Sequence, residues 1–279
     1  MSHPLLVEAI ETNFVPLLIR NNVKGYEEEI LKAYKEPSWN NPVIRYLDSN
    51  GKDIIPRKDN LWMRGETAAR MAQALKASKK PVPRYLTLLA EEDQPKPEQA
   101  TFAMHCYWEG ELKLGKIPGV RATSAGWIGR KEVVNVEFNP KQVSYDKLLK
   151  TARSLQCATT VFAHGNRQLA IAKKLAGGDA VMIPPANQRR GVAYTEQKYH
   201  LRRTHLRYLP LTPIQLARVN SAVFANKDYR AYLSPKQVEW EKQIRAALQK
   251  DASVFKDLTA PDLSRDFPAY TRKLAKALK

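Results

Sequence analysis

Apolar residues change their spacing repeatedly along this chain, and each change marks an element. In GYEEEILKAYK (25–35) and TAARMAQALKAS (67–78) they recur three and four apart, which predicts amphipathic helices. SHPLLVEAIETNF has a proline near its start, where the first helical turn tolerates one, and reads as a short helix. FVPLLIRNN (14–22) is an unbroken apolar run of strand type. WNNPVIRYLD and KDIIP flank Ser49-Asn50-Gly51, and Asn-Gly supplies the positive φ of a tight turn, so a hairpin is expected.

AEEDQPKPEQ (90–99) is polar, carries two prolines and has no period, which makes it a linker. Beyond it the spacing alternates between strand and helix: strand at 100–104, helix at 109–116, strands at 121–127 and 132–138, helix at 144–155, strand at 159–163, helix near 168–175. The pattern then weakens. Gly177-Gly178-Asp179 suggests a turn, and QKYHLRRTHLRYLPL an extended stretch or a hairpin. Thr212-Pro213 is a helix start, Ser234-Pro235-Lys236-Gln237 a capping box for a helix reaching about Lys250, and 264–278 a basic amphipathic helix. The expected organisation is four parts: 1–89, the linker 90–99, an α/β domain at 100–210, and a helical extension at 211–279. The fold class is α/β (α+β).

Composition narrows the partners. Lys and Arg number 46 against 28 Asp and Glu, a net charge of +18, which favours acidic partners. The basic residues are dispersed, however, over 76–84, Arg189-Arg190, 201–207 and the last helix, and no nucleic-acid motif frames them, so a solvated basic surface is the expectation. No apolar run approaches the ~18 residues that span a bilayer. The first residues show no secretory signal, so a cytoplasmic location is the default, with export if a signal lies upstream. The two cysteines make no disulfide framework and no Cys/His spacing suits zinc; neither metal nor cofactor is expected.

The candidate chemistry lies in TFAMHCYWEG (101–110). Cys106 falls where a strand gives way to a helix, and the unpaired N–H groups of a helix start stabilise a thiolate. Tyr107 and Trp108 beside it suit enclosure of a small apolar group, such as a methyl on sulfur. Two readings of Cys106 stand at this level: a reactive thiol, or a buried inert cysteine.

Two resemblances sharpen these readings. The N-terminal order, helix–strand–helix–strand–strand–helix with Pro42 opening the strand before the hairpin, resembles the back two-thirds of a thioredoxin-like domain. That resemblance implies a cis proline at Pro42. It also implies that the first strand and the Cys-x-x-Cys helix are missing, either because the chain is truncated or because the scaffold is degenerate. Truncation is the expectation, and an upstream in-frame selenocysteine codon is one way it would arise. From Thr101 the chain is similar to the peptide methionine sulfoxide reductase A family, whose T-F-A-x-G-C-F-W-G stands here as TFAMHCYWE. Ile117-Pro118-Gly119-Val120, Ala125-Gly126-Trp127-Ile128-Gly129, Glu132-Val133-Val134-Asn135-Val136 and Phe138-Asn139-Pro140 follow in order, and the likeness runs through about residue 165.

This second resemblance implies a two-layer α/β domain and a peptide-methionine (S)-S-oxide reductase-like reaction. Cys106 would be the nucleophile, Glu132 the proton donor, and Tyr107 and Trp108 the holders of the S-methyl group. The resulting sulfenic acid would be resolved by a second thiol, Cys157 being the internal candidate, or by a dithiol such as thioredoxin. Several departures stand out. His105 and Glu109 replace glycines, and the loop before the glutamate strand, which bears another substrate-binding aromatic, is absent. Arg167 stands for an aspartate and Ala172 for a tyrosine. The reading is therefore a thiol-dependent redox protein acting on a peptide or small-molecule sulfoxide or disulfide. The alternative is an inactive scaffold that meets an acidic protein or nucleic acid through its basic surface.

Overall fold

Some helices begin at a proline that the sequence supplies. In the computed structural model, which describes residues 3–92, 96–256, 258 and 263–278, Pro4 opens α1 (Pro4–Asn13). Its contacts divide the chain into two units, Met1–Asp93 and Gln94–Lys279.

The first unit continues with α2 (Tyr26–Ala33), β1 (Val43–Ile44), β2 (Lys58–Asp59), α3 (Arg64–Ala77) and α4 (Arg84–Glu92). Its sheet is a two-residue antiparallel ladder, Val43 opposite Asp59 and Ile44 opposite Lys58. The Asn41–Pro42 peptide is cis. The Asn50-Gly51 turn forms: Asp48 accepts from the Asn50 and Lys52 amides, and Leu47 bridges Asp53. The strand expected at 14–22 does not form, and Val15, Leu17 and Leu18 are 97, 75 and 78% exposed. A strand exists only through its ladder. Pro16 lacks a donor, and among the described residues no backbone bond reaches 15–19. Residues 90–92 of the expected linker finish α4, 98–99 begin the next strand, and 93–95 lie outside the described residues.

The second unit is built on a six-stranded mixed sheet. Its elements are β3 (Glu98–Met104), α5 (Tyr107–Gly115), β4 (Val120–Ile128), β5 (Lys131–Phe138), α6 (Tyr145–Ser154), β6 (Thr160–Ala163), α7 (Asn166–Ala176), β7 (Ala180–Met182) and β8 (Arg189–Gly191). The strand order is β7-β6-β3-β5-β4-β8, with β6 and β7 parallel and the other pairs antiparallel. Alternation sends Ala100, Phe102, Met104, Val134, Val136 and Phe138 to one face. There they pack with Leu114 of α5, Leu148 and Leu149 of α6, and Ala172 and Ala176 of α7. This is the α+β architecture expected. Gly110 lets α5 lie close on the sheet, because a Cβ there would stand 1.9 Å from Met104 Sδ and 3.0 Å from Val134. Gly129, at φ 58, turns β4 into β5 in two residues.

After β8 the chain does not form the expected extended stretch. It makes short 3₁₀ turns and α8 (Tyr199–Arg202), because Leu201, Leu206, Leu209 and Leu211 are buried in a separate core. That core also takes Val219 of α9 (Pro213–Phe224), Ile244 of α10 (Pro235–Lys250) and Leu274 of α11 (Leu263–Ala277). Capping boxes Thr212/Gln215 and Ser234/Gln237 start α9 and α10. Arg218 of α9 donates to the carbonyls of Gly115 and Val120, fastening this layer to the end of α5 and the start of β4.

Candidate active site

The site grows from the junction of β3 and α5. Met104 lies opposite Glu132 in the β3–β5 ladder, so the Glu132 side chain rises on the helix-bearing face beside the place where α5 begins. Cys106 is the N-cap of α5, with extended φ −139° and ψ 115°, and is half-buried. One residue on, the Tyr107 amide donates to Glu132 Oε2 at 2.7 Å. A carboxyl group thus sits at the start of the helix next to the thiol. Glu132 accepts no other hydrogen bond from the described residues, which leaves Oε1 for a ligand.

Aromatic rings form the wall. Tyr107 meets Trp108 edge to face at 5.8 Å and Trp127 of β4 at 5.9 Å. Trp108 stacks on Tyr199 of α8 with centroids 4.0 Å apart and planes 17° from parallel. Arg203 lies 4.8 Å over the Tyr199 ring and donates to its hydroxyl at 2.7 Å. The Tyr107 phenol is pushed up by burial first, and then by the negative charges of Glu196 and Glu132.

Tyr199 is held by a buried ion pair. Glu111, one turn past Tyr107 on α5, is fully buried, and its Oε2 accepts the Lys198 amide at 2.6 Å. Lys198, in left-handed conformation at φ 52, places Nζ on Glu111 Oε1 and on the Thr123 carbonyl, the latter at 2.6 Å. The Thr123 hydroxyl adds a bond to Glu111 Oε1 at 3.1 Å.

Cys106, Tyr107, Trp108 and Glu132 therefore share one place; Cys157, Arg167 and Ala172 do not. Cys157 is 2% exposed and gives its S–H to the Leu155 carbonyl at 3.4 Å. Burial pushes its thiol up to about 11, with the Lys113 charge opposing. Lys113 also donates to the Leu155 carbonyl at 3.1 Å, which places Cys157 beside the later turns of α5, away from the start that Cys106 caps. Glu109 points the same way: it pairs with Lys113 at 2.6 Å. Arg167 binds Glu98 at 2.6 Å, at the opposite end of β3, roughly 25 Å along the strand from Cys106. Ala172 is core. Pro42 belongs to the first unit. Among the described residues no group of three His, Cys, Asp or Glu could hold a metal, and no helix is long and apolar enough to cross a membrane.

Sequence reasoning missed Tyr199, Lys198 and Glu111. The only signal was aromatic and basic residues interleaved in YTEQKYHLRR (194–203), which has no strand or helix period.

No protein-family model matches the chain. Over short stretches it is similar to curated proteins. One is the peptide methionine sulfoxide reductase MsrA 1 of Synechocystis sp., 36% identical over 86 residues, 25% of this chain and 39% of the relative. Another is the peptide methionine sulfoxide reductase of Brassica napus, 30% identical over 95 residues, 27% of this chain and 37% of the relative. A third is the MsrA of Geobacter metallireducens, 34% identical over 76 residues, 21% of this chain and 47% of the relative. The chain thus spans less than half the length of each of these three. Among solved structures, methionine sulfoxide reductase A of Corynebacterium diphtheriae matches with a TM-score of 0.34 and 20% identity, over 42% of this chain and 80% of that one.

Proposed function

We propose that this chain reduces sulfoxides, with Cys106 as nucleophile. The supporting observation is the Glu132 carboxyl group at 2.7 Å from the Tyr107 amide, beside the thiol that caps the same helix. In this reading the Cys106 thiolate attacks the sulfoxide sulfur while Tyr107 and Trp108 hold the S-methyl group. Protonated Glu132 gives its proton to the sulfoxide oxygen. Attack joins the two sulfurs. The protonated oxygen then passes to Cys106, whose S–O bond forms as the substrate's S–O bond and the S–S bond break. The substrate leaves as the sulfide, reduced by two electrons, and Cys106 becomes a sulfenic acid, oxidised by two.

An external dithiol, of the kind thioredoxin carries, completes the cycle. Its first thiol forms a mixed disulfide with Cys106 and releases water; its second frees the Cys106 thiol and leaves as the disulfide. We assign resolution to this external thiol rather than to Cys157, because a buried thiol held protonated is a poor nucleophile. For the first unit we propose a diverged thioredoxin-like piece, on the place of Pro42 ahead of the β1–β2 pair; the strand that this resemblance needs at 14–22 does not form. The unit has no thiol of its own, since no cysteine precedes Cys106 in this sequence.

The test is turnover of a methionine sulfoxide peptide with dithiothreitol. Wild type is expected to turn over, Cys106→Ser to be inactive, and Glu132→Gln to lose about 10²-fold or more in kcat. Equal rates in wild type and Cys106→Ser would remove the enzyme reading. That result would favour the scaffold alternative, which draws on Arg167 holding Glu98 and on Ala172 lying in the core, where the family resemblance puts polar helpers.

A further inference from the structure

The six-stranded sheet has a second face, turned away from α5, α6 and α7. A cavity of about 510 Å³ opens over it, with Ser124, Ile128, Val133, Asn135, His164 and Arg189 in its lining. Strand register explains the grouping. Ser124 lies opposite Asn135, and Arg189 of β8 opposite Ile128, so these side chains project to the same side. The lining contains no aspartate or glutamate. Neither Cys106 nor Glu132 lines it, although Trp127 of the aromatic wall does.

Its polar groups are set by a buried hydroxyl. Thr101, fully buried, donates its one proton to Asn135 Oδ1 at 2.7 Å. His164 Nε2, 2.8 Å from the same hydroxyl oxygen, must therefore be the donor in that contact. This fixes the imidazole tautomer and turns Asn135 so that its amide nitrogen is left with only a 3.5 Å contact to the Ser124 carbonyl.

The charges are unbalanced. His164 is exposed overall, yet desolvation of its ring together with the Arg189 charge pushes its imidazole below the usual histidine range. The Arg189 guanidinium makes no ion pair or hydrogen bond among the described residues. The nearest carboxylate along β5 on this face, Glu137, is engaged by Arg121 at 3.5 Å and by the Gln99 amide at 3.3 Å. The other groups against His164 are neutral: Thr101 and the Gln168 amide oxygen, which accepts the His164 backbone N–H at 3.0 Å. A guanidinium fork, an imidazole and an amide N–H converge with no counter-ion. Beneath them, Ile128 and Val133 form a buried apolar floor.

We propose that this cavity binds a small organic anion. Its carboxylate or phosphate head is held by Arg189 and the Asn135 amide, joined by His164 when the imidazole is protonated at Nδ1, and its apolar body lies on Ile128 and Val133. The volume suits such a molecule and far exceeds a bare oxyanion. A bound anion favours the charged imidazole, so binding tightens as pH falls through the histidine range.

The experiment is calorimetric titration of the whole chain with phenyl phosphate, benzoate and inorganic phosphate at constant ionic strength, at pH 7.5 and 5.5. Saturable binding of an aromatic anion is expected, tighter than inorganic phosphate and tighter at pH 5.5. Comparing phenyl phosphate with benzoate decides the head group. Arg189→Ala is expected to weaken binding about tenfold or more, while Arg130→Ala, an exposed arginine outside the cavity, changes it by less than about twofold. Absence of saturable binding to all three probes overturns the proposal. So do equal losses in Arg189→Ala and Arg130→Ala, which would mean attraction to net charge alone.

Discussion

Replacing Lys198 by methionine probes the fastening of the aromatic wall most directly. The substitution keeps the length of the stem and the backbone N–H that bonds Glu111 Oε2 at 2.6 Å. It removes the ammonium that contacts Glu111 Oε1 and the Thr123 carbonyl. Glu111, fully buried, would keep only the Lys198 amide and the Thr123 hydroxyl. One charge-assisted bond at about 1.5–3 kcal/mol and one ordinary bond at about 1 kcal/mol give a loss of about 2.5–4 kcal/mol. That agrees with the ~3–5 kcal/mol typical when one partner leaves a buried pair. Adding Glu111→Gln removes the stranded charge, so the double variant is expected to regain about 2 kcal/mol or more. Urea unfolding followed by tryptophan fluorescence reads both numbers, and near-UV dichroism of the native variants reads the Trp108–Tyr199 stack. A single-variant loss below about 1 kcal/mol, or a double variant in which the losses simply add, refutes the argument.

Four further outcomes follow from the structure. Tyr199→Ala, which removes the ring stacked on Trp108, is expected to raise KM for a sulfoxide peptide about tenfold, with Tyr199→Phe close to wild type; equal KM in all three proteins would remove Tyr199 from the wall. Cys157→Ala should keep kcat within about twofold of wild type with dithiothreitol. Because burial holds the folded thiol up at about 11 against an ordinary 9.0, the unfolded chain loses its proton first. Wild-type stability should then fall between pH 9 and 11 by up to about 3 kcal/mol more than that of Cys157→Ala, measured by urea unfolding against pH. Burial pushes the Glu241 carboxyl up, but hydrogen bonds from Arg230, His205 and Tyr229 outweigh it and hold it down at about 2. Its stabilisation is present above about pH 4.5 and is lost as pH falls toward 2, so Glu241→Gln should flatten the acid limb of the stability profile.

Local rules were readable wherever the chain's own neighbours satisfy them. Ser234 and Gln237, three residues apart, cap each other's backbone as their spacing predicts, and Thr212 and Gln215 repeat the device. The alternation in 120–138 yields β4 and β5, because two strands joined by Gly129-Arg130 pair within their own hairpin. The segment 14–22 has equal apolar content, but its pairing has to come from elsewhere in the chain, and periodicity carries no information about that. The site divides in the same way. Cys106, Tyr107 and Trp108 are contiguous, and Glu132 meets them through the register of neighbouring strands. Tyr199 arrives from more than ninety residues downstream, carried by a buried Lys–Glu pair whose members look like ordinary surface charges in the sequence.

The close approach that Gly110 permits pins α5 to the sheet beside Met104 and Val134. A helix seated that tightly has no room to tilt inward, so the sulfur at its tip stays at the rim of the fold; under the proposed reaction, sulfoxide and dithiol would have to meet it there in turn.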